Sequence, residues 1–224
     1  MLMGNASAAH LSMEFHAQAG ARTAMSACAS SVESLVDAYW HLRNGLADVV
    51  IAGGTEATVR PLPMAGFAAL HALSKDNDSP ETASRPLDAS RDGFVLGEGA
   101  GTIVLETLEH AQARGAHIYA ELLGGAVSAD AYHITAPEPN GIGASAALKD
   151  TLDLAEVQPS EVAHANLHAT STPVGDKAEY QALLRVFGEE TLHKLPVSAT
   201  KASTGHLLGG TGAVEAIFTI EALG

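Results

Sequence analysis

The sequence predicts an α/β fold, and three observations carry that prediction. Glycine is abundant, at 22 of 224 residues, while aromatics make up only 4%, a mix suited to tight turns and close packing of helices on sheets. The β-branched run "DVVIAGG" at 48–54, closed by glycines, reads as a central strand. Residues 22–54 run strand, helix, strand, an order that points to parallel pairing through a right-handed crossover.

The elements follow in order. Ala, Leu, Met and Phe recur at helical spacing over 3–17, predicting a helix that ends near Gly20. "RTAMSA" (22–27) is short and apolar, as a buried strand would be. From Ser30 the positions Val32, Leu35, Val36, Tyr39 and Leu42 follow the helical period, and Asn44-Gly45 supplies a stop. Residues 60–73 read as a loop entering a short helix, and the polar, turn-rich stretch 74–93 as an exposed loop. "GTIVLETL" (101–108) and "IYAELLGGAV" (118–127) read as strands around a short helix. A helix to about Leu154, a strand at 163–167, a helix at 175–188, a strand at 195–200 and a helix at 212–223 complete the pattern.

Charge and cysteine count exclude several functions. Lys and Arg total 12 against 26 Asp and Glu, a formal charge of −14, which opposes non-specific nucleic-acid binding. A single cysteine rules out an internal disulfide framework and multi-thiolate zinc sites, and fits a reducing compartment. No apolar run approaches the roughly 20 residues of a spanning helix, and the first residues lack the features of a signal peptide. A cytoplasmic protein off the membrane is the expectation.

The single cysteine, Cys28, sits in "MSACASSVESL" where the apolar run meets the helical pattern. A lone cysteine in such a setting can be a small buried hydrophobe. It can also be a nucleophile, because the first turn of a helix presents unpaired N–H groups and partial positive charge that favour a thiolate. Two of the 11 histidines stand at strand ends, His168 in "NLHATSTPVGD" and His206 in "TKASTGHLLGGTG", the usual address of active-site groups in open α/β sheets. Each alone also fits a hydrogen-bonded loop histidine. The glycine-rich pieces at 93–101 and 205–212 match neither the dinucleotide fingerprint nor a Walker loop, so they read as close backbone packing.

Six segments, "SACASS", "ADVVIAGGTEA", "SRPLDASRDGFVLGEGAG", "SADAYHITAP", "HATSTPVGDKAE" and "TKASTGHLLGGTGAVEAI", resemble those of the elongating, type II β-ketoacyl-acyl-carrier-protein synthases. They come in the family's order and span nearly the whole chain. The resemblance implies a thiolase-like, layered αβαβα fold with mixed, mostly parallel sheets, incomplete here at both termini. Residues 1–115 would be the later part of its first half and 116–224 the earlier part of its second.

Residue by residue, the resemblance implies that Cys28 is the acyl-accepting nucleophile and that His168 and His206 are the catalytic histidines. Lys201 matches the family lysine, with Glu215 as its acidic partner, and Phe94 a residue near the site's mouth. Thr170 and Thr172 match residues that contact the carrier's phosphopantetheine arm, and Phe67 and Met64 match the acyl pocket. The implied reaction is decarboxylative condensation of malonyl-carrier with an acyl-enzyme, in fatty-acid or polyketide elongation. It needs no metal and no cofactor beyond the carrier's own arm. The implied partners are acyl carrier protein and a second copy of the chain. Two other readings share the fold: a thiolase acting on coenzyme A thioesters, and a non-catalytic partner resembling a chain-length factor. The family usually carries glycine where this chain has Ser31 and Ala169, and often arginine where it has His71 and Asp76.

Overall fold

The computed structural model describes residues 3–223. These form two compact units, each assembled from separated stretches of chain. The first takes 3–56, 99–122 and 208–223, the second 57–98 and 123–207.

In the first unit, α1 (Ala6–Glu14) precedes a 3₁₀ turn, Ala27–Ala29, that runs straight into α2 (Ser30–Arg43). Strand β1 (Val49–Glu56) pairs antiparallel with β2 (Gly99–Glu106), Val49 opposite Glu106 and Glu56 opposite Gly99. Helices α4 (Leu108–Ala113) and α8 (Thr211–Glu221) complete the unit, with α2 and α8 packed on the β1–β2 ribbon. Glycines make that packing possible. A Cβ on Gly101 would lie 2.8 Å from the Val214 nitrogen of α8, and one on Gly54 would lie 2.6 Å from the Ser31 Cβ of α2. Any side chain at either place would push its helix off the ribbon.

Ser31 itself, which stands where the family usually has glycine, is fully buried. Its Oγ accepts the Ala213 N–H at 3.0 Å, satisfying one of the orphan donors in the first turn of α8. The hydroxyl therefore ties two helices that glycine would only let approach. Replacement Ser31→Ala is expected to lower unfolding stability by about 1–2 kcal/mol, because that buried N–H loses its acceptor; a urea midpoint unchanged from wild type would refute it.

In the second unit, α3 (Pro61–Ala69) leads to the 74–93 loop, and α5 (Ile142–Ala155) packs against α6 (Pro173–Leu192). Proline opens both α3 and α6, where its missing N–H is no loss. The short strands β3 (Ala165–Asn166) and β4 (Val197–Ser198) pair in parallel around α6, and α7 (Lys201–Thr204) follows β4. Leu167, Ala169, Leu183, Phe187 and Leu195 form the buried cluster beneath this pair.

Three expectations need correction. Residues 22–27 form no strand, and 30–54 is therefore not part of a parallel crossover: β1 is antiparallel to β2, and the parallel pairing lies at β3–β4. Met25 is 82% exposed and Ala27 turns to φ +51°, which ends any extended run. Residues 118–127 form no strand either, since no ladder partner for them exists among the described residues. Both sheets are two-stranded, so the structure shows part of an α/β fold rather than a broad mixed sheet.

Candidate active site

Cys28 lies in the 3₁₀ turn at the N-terminal end of α2, half-buried. The residue before it, Ala27, holds φ +51°, and α2 follows it directly. Glu215, also in the first unit, stands half-buried on α8.

The second unit gathers most of the other candidate residues. His168 follows β3 and opens a five-residue loop to Thr172, the N-cap of α6. Ala169 and Ser171 hold φ of +29° and +68°. The Thr172 Oγ1 accepts the Gly175 N–H at 3.2 Å and lies 2.8 Å from the Thr170 Oγ1. Two short bonds hold the start of the loop: one Glu179 carboxylate oxygen accepts the His168 N–H at 2.6 Å, the other the Ala169 N–H at 2.7 Å.

That clamp explains how alanine takes a place the family usually gives to glycine. Left-handed backbone costs a non-glycine residue about 1–2 kcal/mol. The Ala169 methyl, 1% exposed within the apolar cluster, recovers about 0.8 kcal/mol, and the Glu179 bonds cover the rest. Glu179→Ala is accordingly expected to destabilise the protein by about 2–4 kcal/mol, by orphaning two N–H groups. Glu179→Gln, which keeps one carbonyl acceptor, should lose about half as much. Urea midpoints read both, and equal stability of the alanine variant and wild type would refute the clamp.

His206 is set by backbone on both sides. Its N–H donates to the Val95 carbonyl at 2.7 Å, and its carbonyl accepts the Gly97 N–H at 2.9 Å. Gly205 precedes it at φ +69°, where a Cβ would lie 2.9 Å from the Val95 oxygen. The two imidazoles meet edge to face, centroids 5.3 Å apart at 83°. Phe94 packs edge-on against His206 at 5.2 Å and against Phe67 at 5.4 Å. Phe67 and the exposed Met64 both stand on α3.

Lys201, first residue of α7, is 1% exposed, and its backbone carbonyl accepts the Ser84 hydroxyl. Its charge is felt by both histidines. Desolvation, then the Lys201 cation and then His206, lower the His168 pKa to about 3. Desolvation and then Lys201 bring His206 to about 3 as well. His206 is buried, whereas His168 is exposed. Water therefore screens part of its desolvation, and the Lys201 charge supports the same direction. Both rings are neutral at pH 7. Two neutral donors beside a buried cation suit an anionic oxygen better than a metal ion. Glu179 feels opposing influences: burial pushes its carboxyl up, while its two backbone bonds and Lys201 pull it down.

The structure thus brings His168, His206, Lys201, Phe94 and Phe67 together, with Thr170 and Thr172 on the same loop as His168. Glu179 was not singled out from the sequence, nor was Asp176, whose carboxylate pairs with Arg91 at 2.9 Å and accepts the Leu87 N–H at 2.9 Å. Both lie in "GDKAE", where the sequence shows only acidic residues near a helix start. Asp76, which stands where relatives often carry arginine, pairs with Arg85 at 3.4 Å.

Comparison with known proteins gives the family. The N-terminal domain model of the beta-ketoacyl synthases matches residues 1–111, and their C-terminal domain model matches 119–224. The 3-oxoacyl-[acyl-carrier-protein] synthase 2 of Staphylococcus aureus is 48% identical over 98% of this chain and 54% of its own length. The mitochondrial 3-oxoacyl-[acyl-carrier-protein] synthase of Arabidopsis thaliana is 49% identical over 99% of this chain and 49% of its own. The chain spans about half the length of these relatives. A type II polyketide ketosynthase, solved with its acyl-carrier protein and bound to a hexaketide, superposes with a TM-score of 0.94 at 35% identity, covering 97% of this chain and 53% of that one. A beta-ketoacyl synthase from Burkholderia phymatum superposes at 0.81 with 42% identity, over 87% of this chain and 46% of its own. The chain belongs to the β-ketoacyl synthase family.

Proposed function

We propose that this chain acts as a 3-oxoacyl-acyl-carrier-protein synthase, extending an acyl chain by two carbons in fatty-acid or polyketide elongation. The Cys28 thiolate attacks an acyl thioester, forming acyl-Cys28 and releasing the carrier thiol, which takes up the proton. Malonyl-carrier then loses carbon dioxide, and the electron pair of the broken C–C bond becomes an enolate on its thioester. The enolate carbon attacks the acyl-Cys28 carbonyl, forming the new C–C bond and expelling the Cys28 thiolate. The observation that carries this reading is the His168–His206 pair: two neutral imidazoles beside the Lys201 cation can donate to the enolate oxygen as its charge develops.

Glu215 is the supporting acid in this reading, Phe94 shapes the approach, Thr170 and Thr172 bind the phosphopantetheine arm, and Phe67 with Met64 lines the acyl pocket. The fold is the thiolase-like, layered one, divided at 115/116, a division supported by the family models meeting between 111 and 119. Acyl carrier protein is the partner, as it is for the solved polyketide ketosynthase. A second copy is the other. Exposed Met3, Met13, Phe15 and Met25, around an α1 with no buried residue, supply apolar surface for it. A cytoplasmic setting belongs to this reading; no helix among the described residues is long and apolar enough to cross a membrane.

The test is incubation of the purified protein with acyl- and malonyl-carrier protein. Release of carbon dioxide together with 3-oxoacyl-carrier is expected. Cleavage of acetoacetyl-coenzyme A without any carrier would favour the thiolase reading. Activity seen only with a different subunit bound, by native mass measurement, would favour the chain-length-factor reading, which retention of Cys28 opposes.

A further inference from the structure

One side chain bonds the turn that carries Cys28 on both sides of its strained residue. The Ser30 hydroxyl donates to the Ala27 carbonyl at 2.7 Å and accepts the Ser26 N–H at 3.0 Å. It thereby bridges the two backbone groups on the N-terminal side of the cysteine. Ala27 between them holds φ +51°, a conformation an alanine adopts only when its surroundings impose it. The Ser26 carbonyl accepts the Ala29 N–H at 3.0 Å, and the Ser30 N–H joins its own hydroxyl on the Ala27 carbonyl. The Ser30 side chain bonds to this five-residue turn at both of the groups that flank the strained residue. A hydroxyl, with one donor and two acceptor lone pairs, can make both bonds at once.

We propose that Ser30 is a positioning residue for Cys28: its hydroxyl locks the 26–30 turn so that the thiolate stays over the first N–H groups of α2. The inference rests on the reading of Cys28 as the acyl-accepting nucleophile. Without the hydroxyl, the Ser26 N–H loses its acceptor and Ala27 loses one of two donors. The turn can then relax toward ordinary backbone, carrying the sulfur away from the helix end that favours its charge.

The experiment alkylates Cys28, the only cysteine, with iodoacetamide across pH and follows the modified mass. In the wild type, a rate at pH 7 well above that of N-acetylcysteine supports the nucleophile reading, and a rate no faster overturns it. The clamp is read separately, by difference among variants. Ser30→Ala is expected to alkylate about five-fold more slowly at pH 7, the loss of one hydrogen bond's worth of bias, with its pH midpoint displaced upward. Ser30→Thr keeps the hydroxyl and should restore both. Ser30→Val has the shape of Ser30→Thr without the hydroxyl and should behave as Ser30→Ala. A purely structural serine would change melting temperature while leaving the alkylation midpoint where it was. Equal rates and midpoints for Ser30→Thr and Ser30→Val overturn the proposal, and this pair decides it even where Ser30→Ala does not fold.

Discussion

Replacing Cys28 by alanine is expected to abolish condensation, by on the order of 10³-fold or more, while decarboxylation of malonyl-carrier continues at the wild-type order of magnitude. The split follows from where the two half-reactions draw their chemistry. Condensation requires a covalent acyl group, and Cys28 is the only thiol in the chain. Loss of carbon dioxide requires only stabilisation of the enolate, a task assigned to His168 and His206 and their neighbour Lys201. Carbon-dioxide release and 3-oxoacyl product are measured in the same reaction mixture. Condensation surviving in Cys28→Ala would remove the cysteine from the mechanism. Parallel loss of both activities would mean that it also helps in forming the enolate.

His206→Ala is expected to slow decarboxylation by about 10²–10³-fold, the usual loss when one donor to a developing oxyanion is removed. The same residue sets a pH signature. Its pKa falls from 6.5 to about 3 in the folded protein, so the unfolded chain binds the extra proton first as pH drops. Stability therefore decreases as the solution is acidified below about 6.5, by about 1.4 kcal/mol per pH unit for this one buried group, until the folded pKa is reached. His168 acts in the same direction. Activity and stability should separate. In protein that remains folded, the neutral pair keeps its donors well below pH 6.5, so decarboxylation shows no midpoint there, whereas the urea midpoint already declines. A decarboxylation midpoint near 6.5 would show that the histidines titrate as ordinary surface groups.

The parts of the fold that read correctly from sequence are those decided locally. The 3.6-residue period from Val32 to Leu42 and the Asn44-Gly45 stop placed α2, and the β-branched run ending in Gly53-Gly54 placed β1. What failed was strand formation at 22–27 and 118–127, because an apolar stretch becomes a strand only when a neighbour supplies its ladder. In this chain neither stretch has one among the described residues. The candidate site shows the same division. Its candidate reactive side chains advertise themselves by type, and of the three only His168 follows a strand, since 22–27 forms none and His206 comes after α7. Glu179 does not, since its service is to two backbone N–H groups 10 and 11 residues away. A carboxylate facing backbone leaves no mark on spacing or hydropathy, and only the fold reveals it.

The loop at 74–93 reads as exposed and polar, yet the structure ties it into the histidine loop at several points. The Arg85 N–H donates to the Ser171 Oγ, the Gly93 N–H to the Ser171 carbonyl, and the Arg91 side chain to the Thr172 and Pro173 carbonyls. Arg85 meanwhile bonds Ser90, Asp76 and Asp92, folding the loop on itself. Neither segment can open without breaking the other's bonds, so the two form one cooperative unit in local unfolding. The amides of Arg85, Leu87 and Gly93 should then exchange with solvent at the same opening free energy as those of His168 and Ala169. An event that loosens this surface loop, such as a proteolytic nick or an insertion, would reach His168 without touching it.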